Sequence, residues 1–271
     1  MVTDEAKYLK LLGIQMEPPS VSFLATIVKH HLLKVPYENI SKIIRLYQVG
    51  PSIPTLEEFV AGIAETTYGG TCFAQNIYLN QILNFLGFKS KLIGIRKDGF
   101  LSHPSLRVDI GGSNYFVDVG LMSSFSGPYR IHPSESFNKD IGNQRFVFSS
   151  MADLENYSLE IFRDGKMIRG FESSSLAISE EDLEIGIRKT FERSAMFMTT
   201  LCVHRVFETR SLGIWNKNFY QIKGVEHSVW QIESYSELKS IFKDELMLPL
   251  YPLDLTLDLL QRNGAAKLFE V

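Results

Sequence analysis

Two cysteines occur in this 271-residue chain, and one of them, Cys72, follows Gly69-Gly70 and opens a predicted helix. A helix start carries about half a positive charge, which stabilises a thiolate. The same placement also suits a small packed residue, because free cysteine is among the most buried residue types. A thiol nucleophile needs a base, and the base needs an orienting group. His103 and Asp118 lie 15 residues apart and flank the hairpin signal Gly111-Gly112. With the turn centred between the glycines, Ser105 pairs with Asp118. His103 is then one diagonal step away on the same face, about 7–8 Å between backbones. A turn centred one residue later moves them a further step apart. Asp118 sits amid Phe116, Val117 and Val119. A carboxylate in such an apolar run needs a partner, either the imidazole or the amides of a turn.

The other histidines offer less. His30 and His31 fall late in a helical pattern, His132 in a loop and His227 in a turn. His204 alternates with Cys202 in a strand, giving two ligands where a zinc site needs three or four. This pair reads as structural, and no metal is expected. Neither GxxxxGK[ST] nor GxGxxG occurs, so nucleotide-phosphate binding has no support.

These residues need a frame. Thr55-Leu-Glu-Glu58 is a capping box ahead of a short helix, which Tyr68-Gly69-Gly70 ends, with glycine expected in the left-handed C′ conformation. The next helix runs from near Thr71 to about Leu86 and stops at Gly87. Its apolar residues, from Phe73 through Ile77, Leu79, Ile82, Leu83 and Phe85 to Leu86, lie all round it, which predicts a buried helix. Leu106 to Ile110 alternates as a half-buried strand, and Tyr115 to Val119 is its return. Arg145–Phe148, Tyr157–Phe162 and Met167–Phe171 read as further strands, the last two joined at Asp164-Gly165. A helical pattern returns over Glu180–Glu192. Strands follow near Leu201–Phe207, Phe219–Ile222 and Val229–Glu233. A second capping box, Ser234-Tyr-Ser-Glu237, opens another helix, and Asp254–Gln261 forms a last short one. The class is α+β.

Composition sets the outer limits. Acidic residues number 31 against 28 basic, and apolar residues make up 45%, the profile of a globular chain. No basic stripe suggests a nucleic-acid partner. No apolar run reaches the roughly 20 residues a membrane helix needs, and Met1 to Lys10 has no signal-peptide core. Two unpaired cysteines suit a reducing cytoplasm.

Val35-Pro-Tyr-Glu-Asn-Ile40, Gly69-Gly-Thr-Cys-Phe73 with Asn76, Ser102-His103 and Val117-Asp-Val-Gly120 together resemble the arylamine N-acetyltransferases. Ser194 to Val206 and the strand-rich stretch after it resemble that family's third domain. The resemblance implies a papain- or transglutaminase-like Cys-His-Asp core in three parts. These are a helical bundle (1–88) carrying Cys72, a β-barrel-like unit (89–193) carrying His103 and Asp118, and an α/β lid (194–271). It implies ping-pong acetyl transfer from acetyl-CoA through Cys72 to an arylamine, hydrazine or N-hydroxyarylamine. Tyr37 and Phe197 would line the acceptor pocket, and Ser102, Gly120, Ser123 and Ser124 would lie near CoA. The backbone amide of Cys72, a helix-start donor without an intrahelical partner, is the candidate oxyanion donor. A thiol hydrolase or transglutaminase-like enzyme could use the same triad, and a non-catalytic binder of acyl-CoA or aromatic ligands is a further alternative. Three positions depart from the family pattern. Tyr68 and Ala74 replace an Arg and a Glu, so Glu38 must find a partner other than that Arg or lie near solvent. Met122 stands where a Gly is common.

Overall fold

A computed structural model describes residues 3–97, 99–132, 136–150, 156–174 and 178–270; Met1 and Val2 of the N-terminal stretch read above fall outside them. Helices α1 (Asp4–Leu12), α2 (Val21–Lys34), α3 (Ile40–Gln48), α4 (Leu56–Thr66) and α5 (Cys72–Phe85) fill the first third, with the two-residue strand β1 (Tyr37–Glu38) between α2 and α3. The capping box at Thr55 is present: its hydroxyl accepts from Glu58 N and the Glu58 carboxylate accepts from Thr55 N. At the far end of α4 the left-handed residue is Thr67, at φ 62°, and not a glycine. Gly69 is required for a different reason. A Cβ there would run into the carbonyl of Pro36 and the side chain of Val35.

Helix α5 is the central post. Cys72 to Asn76 are all buried, as are Leu79, Ile82 and Leu83. Its apolar residues share one core with Tyr8, Leu24, Ile27 and Phe59 and with Val108, Val117 and Val119. Its last turn emerges, leaving Phe85 exposed. Gly87, at φ 84°, ends it.

The middle of the chain is one antiparallel sheet. Its strands are β2 (Lys89–Lys97), β3 (Phe100–Ile110), β4 (Ser113–Val117), β5 (Tyr129–Ile131), β6 (Ser136–Ile141), β7 (Gln144–Ser150), β8 (Asn156–Arg163) and β9 (Lys166–Ser174), in the order β5-β4-β3-β2-β9-β8-β7-β6. Among the described residues β5 and β6 do not pair, so the barrel-like unit is an open, curled sheet around Phe116, Phe125, Phe146, Phe148 and Tyr157. Gly111 and Gly112 take φ 60° and 79°, the two positive values that a type I′ hairpin turn demands. Ile110 therefore faces Ser113 and Leu106 faces Val117. One more step along that register sets Ser105 opposite Asp118, the first of the two alternatives read from the sequence.

Helices α6 (Glu180–Lys189) and α7 (Met196–Thr199) lead into β10 (Cys202–Val206), β11 (Ser211–Trp215), β12 (Asn218–Lys223) and β13 (Glu226–Gln231). Helix α8 (Tyr235–Ser240), a π-helical turn (Ile241–Glu245) and α9 (Leu253–Arg262) complete the fold. The Ser234 hydroxyl caps α8, but Glu237 reaches back to Glu233 N, so the second box is only half formed. Strand β1 adds to the edge of this sheet, Tyr37 opposite His204 and Glu38 opposite Val203. Asn39 fixes the junction: its side-chain amide donates to Phe197 O and Thr200 O and accepts from Cys202 N. A pairing 167 residues apart thus brings Tyr37 over the start of α5. No helix among the described residues is long and apolar enough to cross a membrane.

Candidate active site

Cys72 is the first residue of α5 and 6% exposed. His103 lies within β3, and Asp118 follows the last residue of β4. His103 Nε2 is 2.6 Å from Asp118 Oδ2, and the same imidazole interacts electrostatically with the Cys72 side chain. With Nε2 on the carboxylate, Nδ1 is left for the sulfur. Burial works against a charged ring here. The Asp118 carboxylate and the Cys72 sulfur outweigh it and push His103 up to about 10, so the ring is an imidazolium at neutral pH.

Asp118 is 1% exposed and every partner it needs is built in. Its Oδ1 accepts from Asn76 Nδ2 at 2.9 Å and from Gly120 N at 2.8 Å. Asn76 also donates to Pro104 O and accepts from Val119 N. One side chain therefore ties α5, β3 and the segment after β4 together at the triad. Asn76 was visible only as part of a motif; its place one helical turn after Cys72, on the same face, was the signal available. Gly120 has a packing reason to be glycine: a Cβ would lie 2.6 Å from Cys72 Cα and 2.8 Å from Asn76 Nδ2.

The walls over the sulfur are apolar. Tyr37, Phe73, Leu101 and Cys202 are buried around Cys72, with Met122, Ile178, Ile187, Phe197 and Trp215 packed against them. The Tyr37 and Phe197 rings meet edge to face at 5.6 Å, and Phe197 meets Trp215 at 6.3 Å. Tyr37 brings more than a ring. Burial holds its hydroxyl well above the ordinary value, and the Cys72 backbone and sulfur are among the groups that act on it.

The remaining sequence candidates scatter. Ser102, next to His103, donates to Ile95 O at 3.1 Å. The Ser123 hydroxyl accepts from Phe125 N at 3.1 Å, which closes a local turn. Ser124 lines a cavity of about 370 Å³ with Lys29, Lys139 and Arg210, away from the triad. Met122 takes φ 56°, a left-handed conformation that favours glycine, and its sulfur lies 3.2 Å from that of Cys202. Glu38 is fully buried and finds its partners in the backbone. It accepts from Gly69 N, Gly70 N, Ser41 N and the Ser41 hydroxyl. Burial still holds its carboxyl above the usual range, with these donors opposing. Cys202 and His204 are both buried in β10. His204 bonds Tyr220 through Nδ1, and among the described residues its Nε2 has no partner.

A buried thiol at a helix start, a histidine beside it and a buried carboxylate, inside an α+β frame, form a Cys-His-Asp constellation in a papain-like fold. A family model described as N-acetyltransferase matches residues 20–254. The chain belongs to the arylamine N-acetyltransferase family. An arylamine N-acetyltransferase of Mycolicibacterium smegmatis is 28% identical over 132 residues, which cover 44% of this chain and 47% of that relative, just under half its length. Among solved structures, the arylamine N-acetyltransferase of Mycobacterium marinum in complex with CoA aligns with a TM-score of 0.76 at 16% identity, covering 97% of this chain and 99% of that one. The Salmonella typhimurium enzyme aligns with a TM-score of 0.74 at 16% identity, covering 97% and 99%. At those identities the two structures speak for the fold.

Proposed function

We propose that the chain is an acetyl-CoA-dependent N-acetyltransferase of arylamines, hydrazines and N-hydroxyarylamines, working through an acetyl-cysteine at Cys72. The observation that carries this is the 2.6 Å bond from Asp118 to His103, whose ring also interacts electrostatically with the Cys72 side chain. The Cys72 thiolate attacks the thioester carbonyl of the donor. The bond from that carbonyl to the CoA sulfur breaks, and His103 gives its proton to the leaving sulfur. In the second half the amine nitrogen attacks the Cys72 thioester. His103 takes the amine proton, and Cys72 departs as thiolate, restoring the starting pair. Asp118 orients the ring and favours its charged form.

Tyr37 and Phe197 supply stacking surface suited to an aromatic acceptor. The backbone amide of Cys72 at the helix start and the Tyr37 hydroxyl beside it would donate to the oxyanion. Ser102, Gly120, Ser123 and Ser124 are proposed for the donor side, Gly120 through its lack of a side chain. The division into units 1–88, 89–193 and 194–271 puts the nucleophile, its base and acid, and the cover on separate parts, in a reducing cytoplasm. The enclosure of Cys72 by apolar side chains favours a small acceptor over an extended peptide.

Incubation of the pure protein with acetyl-CoA and a panel of arylamines and hydrazides tests the reading. CoA release that depends on the acceptor, with parallel double-reciprocal plots, is expected. No CoA release with any acceptor contradicts it.

A further inference from the structure

A second cavity, of about 190 Å³, shares the Gly69–Thr71 segment and Phe73 with the site above but includes none of Cys72, His103 or Asp118. Its other walls come from α3, α4 and the residues just after α6. Lys42 stands at its edge, 8% exposed. The ammonium donates to Thr190 Oγ1 at 2.6 Å and lies 4.4 Å over the ring of Phe191. Thr190 spends its own proton on Ile187 O. Among the described residues no carboxylate lies within ion-pair distance of Lys42. An ammonium has three donors, and a buried cation without a counter-charge is costly. The other charges on the lining are satisfied: Arg45 pairs with Glu58 at 3.1 Å, and Glu58 also accepts from Thr55 N.

The rest of the lining is largely apolar, including Phe59, Phe73, Phe191 and Ile53. A dry apolar cavity of about 150 Å³ takes up benzene, so this one has room for a single ring and a small substituent. We propose that the cavity binds a one-ring aromatic carboxylate, its ring among Phe59, Phe73 and Phe191 and its carboxylate on the protons of Lys42 that Thr190 does not take. Burial pushes Lys42 down to about 7, and an arriving carboxylate opposes that burial. The inference is independent of acyl transfer, which uses neither Lys42 nor Phe191.

Calorimetric titration of the full chain with sodium benzoate tests it, with and without prior alkylation of Cys72 by iodoacetamide. One site is expected in both forms, weakened at least tenfold in Lys42→Met, which keeps the aliphatic stem. Gly62→Leu provides a second variant: a Cβ at Gly62 meets Tyr68 at an ordinary 3.5 Å, and the longer side chain fills the cavity. It too should bind at least tenfold more weakly while its circular dichroism stays native. Benzamide, neutral and of the same shape, should not bind. Absence of benzoate binding, equal binding of benzamide, unchanged affinity in either variant, or loss of the site on alkylating Cys72 would each overturn the proposal.

Discussion

Cys72 with His103 and Cys202 with His204 each set a histidine in the same core as a buried thiol, and among the described residues only His103 bonds a carboxylate. Asp118, bonded to His103 at 2.6 Å, helps push that ring up to about 10. His204 has the Tyr220 hydroxyl for a neighbour, and burial takes it down to about 4. Burial likewise drives the Cys202 thiol well above its ordinary value, and the charge of Glu38 adds to this. Position on the chain differs as well. Cys72 starts a helix, whereas Cys202 sits in a strand with its sulfur against Met122. A satisfied, buried carboxylate behind the imidazole separates the two pairs.

The sharpest way to break that comparison is to remove each sulfur. Cys72→Ala should lower acceptor-dependent CoA release by about 10⁴-fold or more. Cys202→Ala, which trims packing only, should change it by less than about tenfold. Equal losses would erase the distinction. The carboxylate comes next. Asp118→Asn keeps the shape but loses the charge and should cost about 10⁴-fold in kcat at most, while His204→Gln should stay near the parent rate.

The two histidines also predict opposite limbs of a stability profile. His103 is raised in the folded state, so its contribution is full below about 6.5 and is lost as pH climbs toward 10. His204 and His31 are depressed to about 4 by burial, so their contribution is full above 6.5 and is lost as pH falls toward 4. Thermal melts across that range should show both limbs, with Asp118→Asn flattening only the alkaline one. An unchanged alkaline limb in that variant would count against the ion pair. The smallest effect is at the hydroxyl of Tyr37. Tyr37→Phe should lower kcat about tenfold, the worth of one neutral hydrogen bond of about 1.4 kcal/mol, with little change in stability.

The better-marked parts of this arrangement were legible in local chemistry. Gly111-Gly112 marked the turn and left two registers, and the structure takes the one that sets His103 near Asp118. Gly69 to Cys72 marked a helix start, and the alternation of Leu106 to Ile110 marked a strand. What was not legible depends on distant partners. Strand β1 is two residues long and forms by pairing with β10, so nothing near Tyr37 announces it. The strands β2 and β11 carry burial from several directions and lack a clean period. Thr67 took the left-handed position because Gly69 was needed for close approach to Pro36. Glu38, deprived of the arginine expected from the family pattern, is held by backbone amides that only the folded loop aligns. The role of Asn76 likewise needs three segments brought together.

The central claim is that Cys72 alone among the thiols takes the acyl group. Intact-protein mass spectrometry after brief exposure to acetyl-CoA, followed by peptide mapping, tests it directly. The account predicts a gain of one acetyl group located on Cys72, absent in Cys72→Ala, and discharged when an arylamine is added. An unacetylated protein, acetyl on Cys202, or an acetyl-Cys72 that no arylamine discharges would contradict it.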